Sequence, residues 1–181
     1  MPAGVLTDAP PPDAALTGFF GKLPAAGDFV TRGLPVGFQA FWDGWAARHL
    51  APRQGEWPPG GLRLRLQSGG RVAAGVVVPG ADRVGRHFPL AGFVIAPELP
   101  APTGLKGWCD AAHAALIAAQ TGGQGPDALC DALEALVPPQ GCDEGPPMLL
   151  WHGTADPAPC DPAAPEPVLD RLFSCSGSSI P

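Results

Sequence analysis

The chain has no tyrosine and only two lysines, Lys22 and Lys106. With a net charge of -6 over 181 residues, it offers no basic face to neutralise a run of phosphates, which argues against nucleic acid as a partner. Signals for membrane insertion are also missing. The first twelve residues lack the positive flank and apolar stretch of a secretory leader, and the longest apolar run, Val72 to Val78, falls far short of the ~20 residues of a spanning helix. The expectation is a cytoplasmic protein with no membrane insertion. Its five cysteines (109, 130, 142, 160 and 175) are odd in number and irregularly spaced, without Cys-x-x-Cys or a histidine at zinc-site spacing. They read as reduced thiols.

Catalytic patterns are equally sparse. Gly21-Lys22 and Gly27-Asp28 bracket a loop after an apolar run, but a phosphate-binding loop needs Gly-Lys-Ser/Thr at a helix entrance, and a carboxylate at that point repels phosphate. Gly-x-Ser-x-Gly, the strained turn of a serine hydrolase, does not occur. His49, His87, His113 and His152 share no metal-site spacing with one another or with acidic residues. His152-Gly153 with Asp156 hints at an active-site loop, yet a single histidine at a strand end is more often structural. Asp110, Asp127, Asp131 and Glu134 fall on helix termini or polar helix faces, where carboxylates are ordinarily solvated. No catalytic residue, metal or cofactor is expected.

What the chain has is enough apolar material for one core: 45% hydrophobic residues, five tryptophans and eight phenylalanines. Its 25 glycines and 25 prolines sit mostly between periodic stretches and act as punctuation. Residues 1–16 read as a flexible arm, 17–173 as the domain and 174–181 as a flexible tail. Gly18 to Leu23 suits a first strand. Phe38, Phe41, Trp42, Trp45 and His49 then form one helical stripe that starts after Pro35 and stops before Pro52. Most of this stripe reads as core, with Trp42, Trp45 or Trp57 the candidates for an exposed binding anchor.

Leu62, Leu64 and Leu66 alternate with Arg63, Arg65 and Gln67, the pattern of a half-buried strand. Gly69-Gly70 turns it into a second strand, Arg71 to Val78. Phe88 to Ala96 reads as a third, buried strand. Helices follow over 104–120 and 126–137, then a short strand over 148–152, a Pro-rich loop and a terminal helix over 166–173. Interleaved helices and strands around a hairpin predict a single α/β domain: a mixed β-sheet with a central antiparallel hairpin and helices on both faces, a three-layer α/β/α sandwich.

Two ordered blocks resemble a known family. Gly18-Phe19-Phe20-Gly21-Lys22-Leu23-Pro24, Gly27-Asp28-Phe29-Val30, Arg32-Gly33-Leu34-Pro35 and Trp42-Asp43-Gly44-Trp45 form the first; Gly75-Val76-Val77-Val78-Pro79 and Asp82-Arg83-Val84-Gly85-Arg86-His87-Phe88-Pro89-Leu90 form the second. Together they resemble TagF-type proteins associated with bacterial type VI secretion. The resemblance covers residues 17–95 well and 148–173 more faintly. It implies a compact α/β regulatory protein, not an enzyme, that restrains the secretion apparatus after translation by binding a forkhead-associated scaffold protein. Some relatives are fused to a PP2C-type phosphatase, an activity that is not expected here.

The partner-binding or signature residues are then Lys22, Asp28, Arg32, Trp42, Trp45, Arg83 and Arg86. Both signature loops leave the sheet beside Phe29 and Phe88, and an Asp28–Arg86 bridge is expected to pin them together. The rival reading is a small-molecule or nucleotide-binding enzyme using the Gly27-Asp28 and Gly85-Arg86 loops. A raised, desolvated carboxylate in a pocket between those loops favours the enzyme; an aromatic-rimmed surface favours binding. A structural subunit, which needs large self-complementary apolar patches, is a weaker third possibility.

Overall fold

The computed structural model describes residues 13–53, 55–153 and 155–174. Most of the N-terminal arm and of the tail therefore lies outside the described residues. Eleven elements follow in order: β1 (Leu16–Gly21), β2 (Val30–Arg32), α1 (Val36–His49), β3 (Leu62–Ser68), β4 (Arg71–Val78), β5 (Leu90–Ala96), α2 (Pro102–Thr121), α3 (Pro126–Glu134), β6 (Met148–Trp151), β7 (Ala158–Cys160) and α4 (Glu166–Ser174). None of the described helices is long and apolar enough to cross a membrane.

The strands form one seven-stranded sheet in the order β2-β1-β5-β4-β3-β6-β7. All six neighbouring pairs are antiparallel, which corrects the expected mixed sheet. Parallel neighbours require a crossover that lands on the adjacent strand. Here the helical excursions land elsewhere: α1 carries the chain from edge strand β2 to β3, and α2 with α3 carries it from β5 to β6. The β3–β4 hairpin is as expected, with Gly69 and Gly70 at φ +56° and +77° making the two-residue turn that L side chains rarely accommodate.

Side-chain alternation divides the apolar residues of the sheet between two clusters. Ala74, Val76 and Val78 of β4 pack with Leu105, Trp108, Leu116, Leu129 and Leu133 from α2 and α3. Ala73 and Val77 pack with Phe38, Trp42, Trp45, Leu169 and Leu172 from α1 and α4. β3 departs from the half-buried expectation, because Arg63 and Arg65 are buried along with the leucines between them. Arg63 is paired with Asp110 of α2 at 2.8 Å. Arg65 has no carboxylate partner among the described residues; it donates to the carbonyls of Leu99, Pro100 and Asp143, so its charge is spent on tying two loop segments to the sheet.

Two short strands, β2 and β7, replace what reads as loop in the sequence. Both are edge strands of three residues, and Pro159 is tolerated in β7 because an edge strand has one side free of ladder hydrogen bonds. α4 and the turn before it are tied to α1 and the segment after it by three polar rungs spaced four residues apart. Trp45 Nε1 donates to the Pro162 carbonyl at 2.8 Å, His49 Nδ1 lies 2.5 Å from Glu166 Oε1, and Arg53 Nη2 donates to Asp170 Oδ1 at 2.9 Å.

Candidate functional site

The two sequence blocks converge at one end of the sheet. The β1–β2 loop, residues 22–29, and the β4–β5 loop, residues 79–89, lie side by side because β1 and β4 both flank β5. Close approach is possible where side chains are absent: a Cβ on Gly80 would overlap the Phe88 carbonyl oxygen and sit 2.9 Å from that of Lys22.

The charged centre of the pair is Asp82, whose side chain has no exposed surface. Its Oδ1 accepts from the backbone N–H groups of Val84 at 3.1 Å and Arg86 at 2.9 Å. Its Oδ2 lies 3.2 Å from Lys22 Nζ and accepts from Arg86 Nε at 2.7 Å. Burial pushes the Asp82 carboxyl up, but the Arg86 N–H, the Lys22 ammonium, the Arg86 guanidinium and the Val84 N–H together hold it well below the usual carboxylate range. It is therefore an anion at neutral pH.

Arginines from the second loop stitch it to the first. Arg86 Nη2 donates to the Gly27 carbonyl at 2.8 Å, Arg83 Nη2 to that of Ala25 at 2.7 Å, and the Arg83 backbone N–H to Ala26 at 2.9 Å. Beneath them Phe20, Phe29 and Phe88 form a triangle, with centroids 5.7 Å (20–29), 6.0 Å (20–88) and 4.8 Å (29–88) apart. The Lys22 ammonium sits 4.9 Å above the Phe29 ring.

Lys22, Arg83 and Arg86 thus belong to one assembly, and Asp28 sits at its rim. The expected Asp28–Arg86 bridge does not form. Asp28 is exposed and turns back to accept from the Phe29 N–H at 2.8 Å, whereas Arg86 is held by Asp82, four residues away across its own turn. Asp82 is the residue missed by the sequence reading. An Asp that opens a Gly-containing turn, with Arg four residues on, is the signal that could have found it.

Arg32 lies apart on β2, paired with Asp127 of α3 at 3.1 Å. Trp42 and Trp45 are core residues, stacked on each other at 5.3 Å, and present no contact surface. Among the described residues, the aromatic groups left partly open are Phe29, Phe41, Trp57 and Phe173.

The groups weighed for chemistry are scattered. Asp110 bridges Arg63 and Lys106, and its carboxyl is held below the usual range by their hydrogen bonds. His152 is buried, and desolvation lowers its pKa. All four described thiols are pushed up: burial raises Cys109 to about 12 and Cys160 to about 11, and burial also leads for Cys130, whereas for Cys142 the charge of Glu98 leads. That is the reverse of thiol activation.

A cleft of about 330 Å³ opens beside the second loop, between its ends (Pro79, Gly80, His87, Phe88, Pro89) and the segment after α1 that carries Leu50, Arg53 and Trp57. It lies to one side of the loop pair. The buried carboxylate of Asp82 contacts Lys22 and Arg86, and Asp82 is not a lining residue of the cleft.

The fold and site define an antiparallel α/β domain with two interlocked loops at one end of its sheet. Residues 18–136 match the TagF N-terminal domain, type VI secretion system-associated, and the chain belongs to that family. The crystal structure of PA0076 from Pseudomonas aeruginosa PAO1 is similar, at 32% identity with a TM-score of 0.58, over 68% of this chain and 64% of that one. The chain thus spans less than two thirds of that protein's length. No curated protein matches.

Proposed function

We propose that this chain is a cytoplasmic, non-catalytic regulator of a type VI secretion apparatus, a post-translational repressor that binds a forkhead-associated scaffold protein and blocks its productive assembly. The observation that carries this reading is the interlocked loop pair. It is built on both signature blocks, fixed internally by Asp82, and leaves Arg83, Val84, Arg86 and Phe29 facing outward. A fixed surface of arginines and aromatic carbon is suited to binding another protein, since little conformational entropy is lost when it docks. We also read the two core clusters as the two interfaces of a three-layer stack, with α2 and α3 on one face and α1 and α4 on the other.

The enzyme alternative draws little from the same residues. A general acid needs a carboxyl poised near the working pH, and Asp82 is held far below it. The carboxylate and the cleft also fail to coincide.

Co-purification tests the proposal. Wild type is compared with an Arg83→Ala/Arg86→Ala variant whose fold is verified by circular dichroism. Recovery of the forkhead-associated component with wild type and its loss with the variant supports the reading. Absence of any apparatus component from the wild-type eluate contradicts it.

A further inference from the structure

The ends of the β4–β5 loop line the cleft while its tip carries the exposed arginines, so one loop presents a cleft of mixed apolar and polar lining and a cationic rim together. We propose that this loop and cleft form a single docking surface, and that its occupant is an acidic segment of a partner protein that places one bulky apolar side chain in the cleft. This inference rests on the regulatory reading and specifies the chemistry of the partner's contact.

Charge complementarity selects an acidic occupant. The chain carries a net charge of -6, yet the only carboxylates in the two loops are Asp82 and Asp28. The first is buried and neutralised by Lys22 and Arg86, and the second is turned onto the Phe29 N–H. Arg83 has no carboxylate within salt-bridge distance among the described residues and spends only Nη2 on a carbonyl of the first loop. Its remaining N–H donors form a fork suited to a carboxylate. Arg86, with 60% of its side chain exposed, adds a second cation three residues away. A negative partner is steered toward such a rim, whereas two arginines on an acidic chain are too few to follow a nucleic-acid backbone.

The slot selects the apolar anchor. Trp57, Pro79, Phe88 and Pro89 give it carbon walls, and Arg53 and His87 add polar groups to its lining. At about 330 Å³ it is at the small end of the ~300–1,000 Å³ range of ligand pockets, a fit for one large side chain. Val84, 71% exposed at the loop tip, extends the apolar contact outward between the arginines.

Site-specific photocrosslinking to the purified forkhead-associated protein tests the assignment. Val84 is replaced by a benzophenone amino acid in the full chain. Gln67, exposed at the opposite end of the hairpin, is replaced in a control. Crosslinks are expected from position 84 and not from 67, onto a partner segment whose carboxylates flank a bulky apolar residue. An Arg83→Glu variant, with the loop intact, is expected to bind about tenfold more weakly and to lose most of the salt dependence of association. Crosslinks from position 67, a basic crosslinked segment, or undiminished binding by Arg83→Glu overturns the assignment while leaving the regulatory reading in place. Failure of the wild-type chain to bind the forkhead-associated protein removes that reading and this inference with it.

Discussion

Asp82 accepts hydrogen bonds from two backbone N–H groups and contacts two cations while its side chain is fully shielded from water. Its folded-state pKa lies below the ordinary value of about 3.9. The stabilisation from this difference is therefore present above about pH 4 and is lost as pH falls through the folded value. Asp82→Asn should lower the urea midpoint at pH 7, and the gap to wild type should narrow as titrations are repeated down to pH 2.5. A constant gap would mean that the carboxylate is not the titrating partner. Arg65 is a second residue with a quantifiable role: Arg65→Met strands the carbonyls of Leu99, Pro100 and Asp143 and should cost about 3 kcal/mol in urea unfolding.

These two residues also mark how far side-chain roles were readable in advance. Lys22, Arg83, Arg86, Phe29 and Phe88 are recognisable from their blocks, but the blocks alone point to Asp28 and not to Asp82 as the carboxylate joining them. Two acidic residues in two loops differ in one dimension only by the turn that follows: Asp82 opens a turn through Gly85 to Arg86, and that turn faces it inward. Arg63 and Arg65 gave no local sign of burial, since alternating charge ordinarily marks a solvent face. Apart from the Gly60 carbonyl beside Arg63, their partners come from Asp110 of α2 and from loop carbonyls 34 to 78 residues away.

At the scale of elements, period and punctuation were reliable for the long segments. The aromatic stripe after Pro35 gave α1, Gly69-Gly70 gave the hairpin, and Pro126 gave the start of α3. β2 and β7 escaped because three residues cannot display a period, and their strand state comes from neighbours. The docking of α4 on α1 was likewise invisible, although its parts are simple. Its three polar rungs position the helix while Leu169 and Leu172 supply the burial. Leu169→Ala should cost about 3 kcal/mol and accelerate amide exchange in α4 more than in α2. Equal acceleration in both helices would indicate global rather than local loosening.

For the molecule as a whole, the family match and the folding unit differ in extent. The match ends at residue 136, yet β6 pairs with β3 from Arg63↔Trp151 to Leu66↔Met148, and Met148, Leu150, Leu169 and Leu172 close the second cluster. A chain truncated after residue 136 should fail to fold cooperatively, leaving the β3 edge and its leucines open to aggregation. Limited proteolysis of the truncated chain checks this, and a protease-resistant 1–136 fragment would contradict it. The overall α/β class was legible because helical and strand periods alternate along the sequence. The all-antiparallel order was not, because pairing depends on where each helical excursion lands.

The most direct measurement of repression by a docked loop pair is secretion itself. Wild type and an Arg83→Glu/Val84→Asp variant, matched in abundance and both shown to be folded, are overproduced in a bacterium with an active type VI apparatus, and release of an apparatus substrate into the medium is quantified. Wild type is expected to suppress release and the variant to leave it near the level of the untransformed strain. Equal suppression by both chains, or no suppression by wild type, would contradict the account.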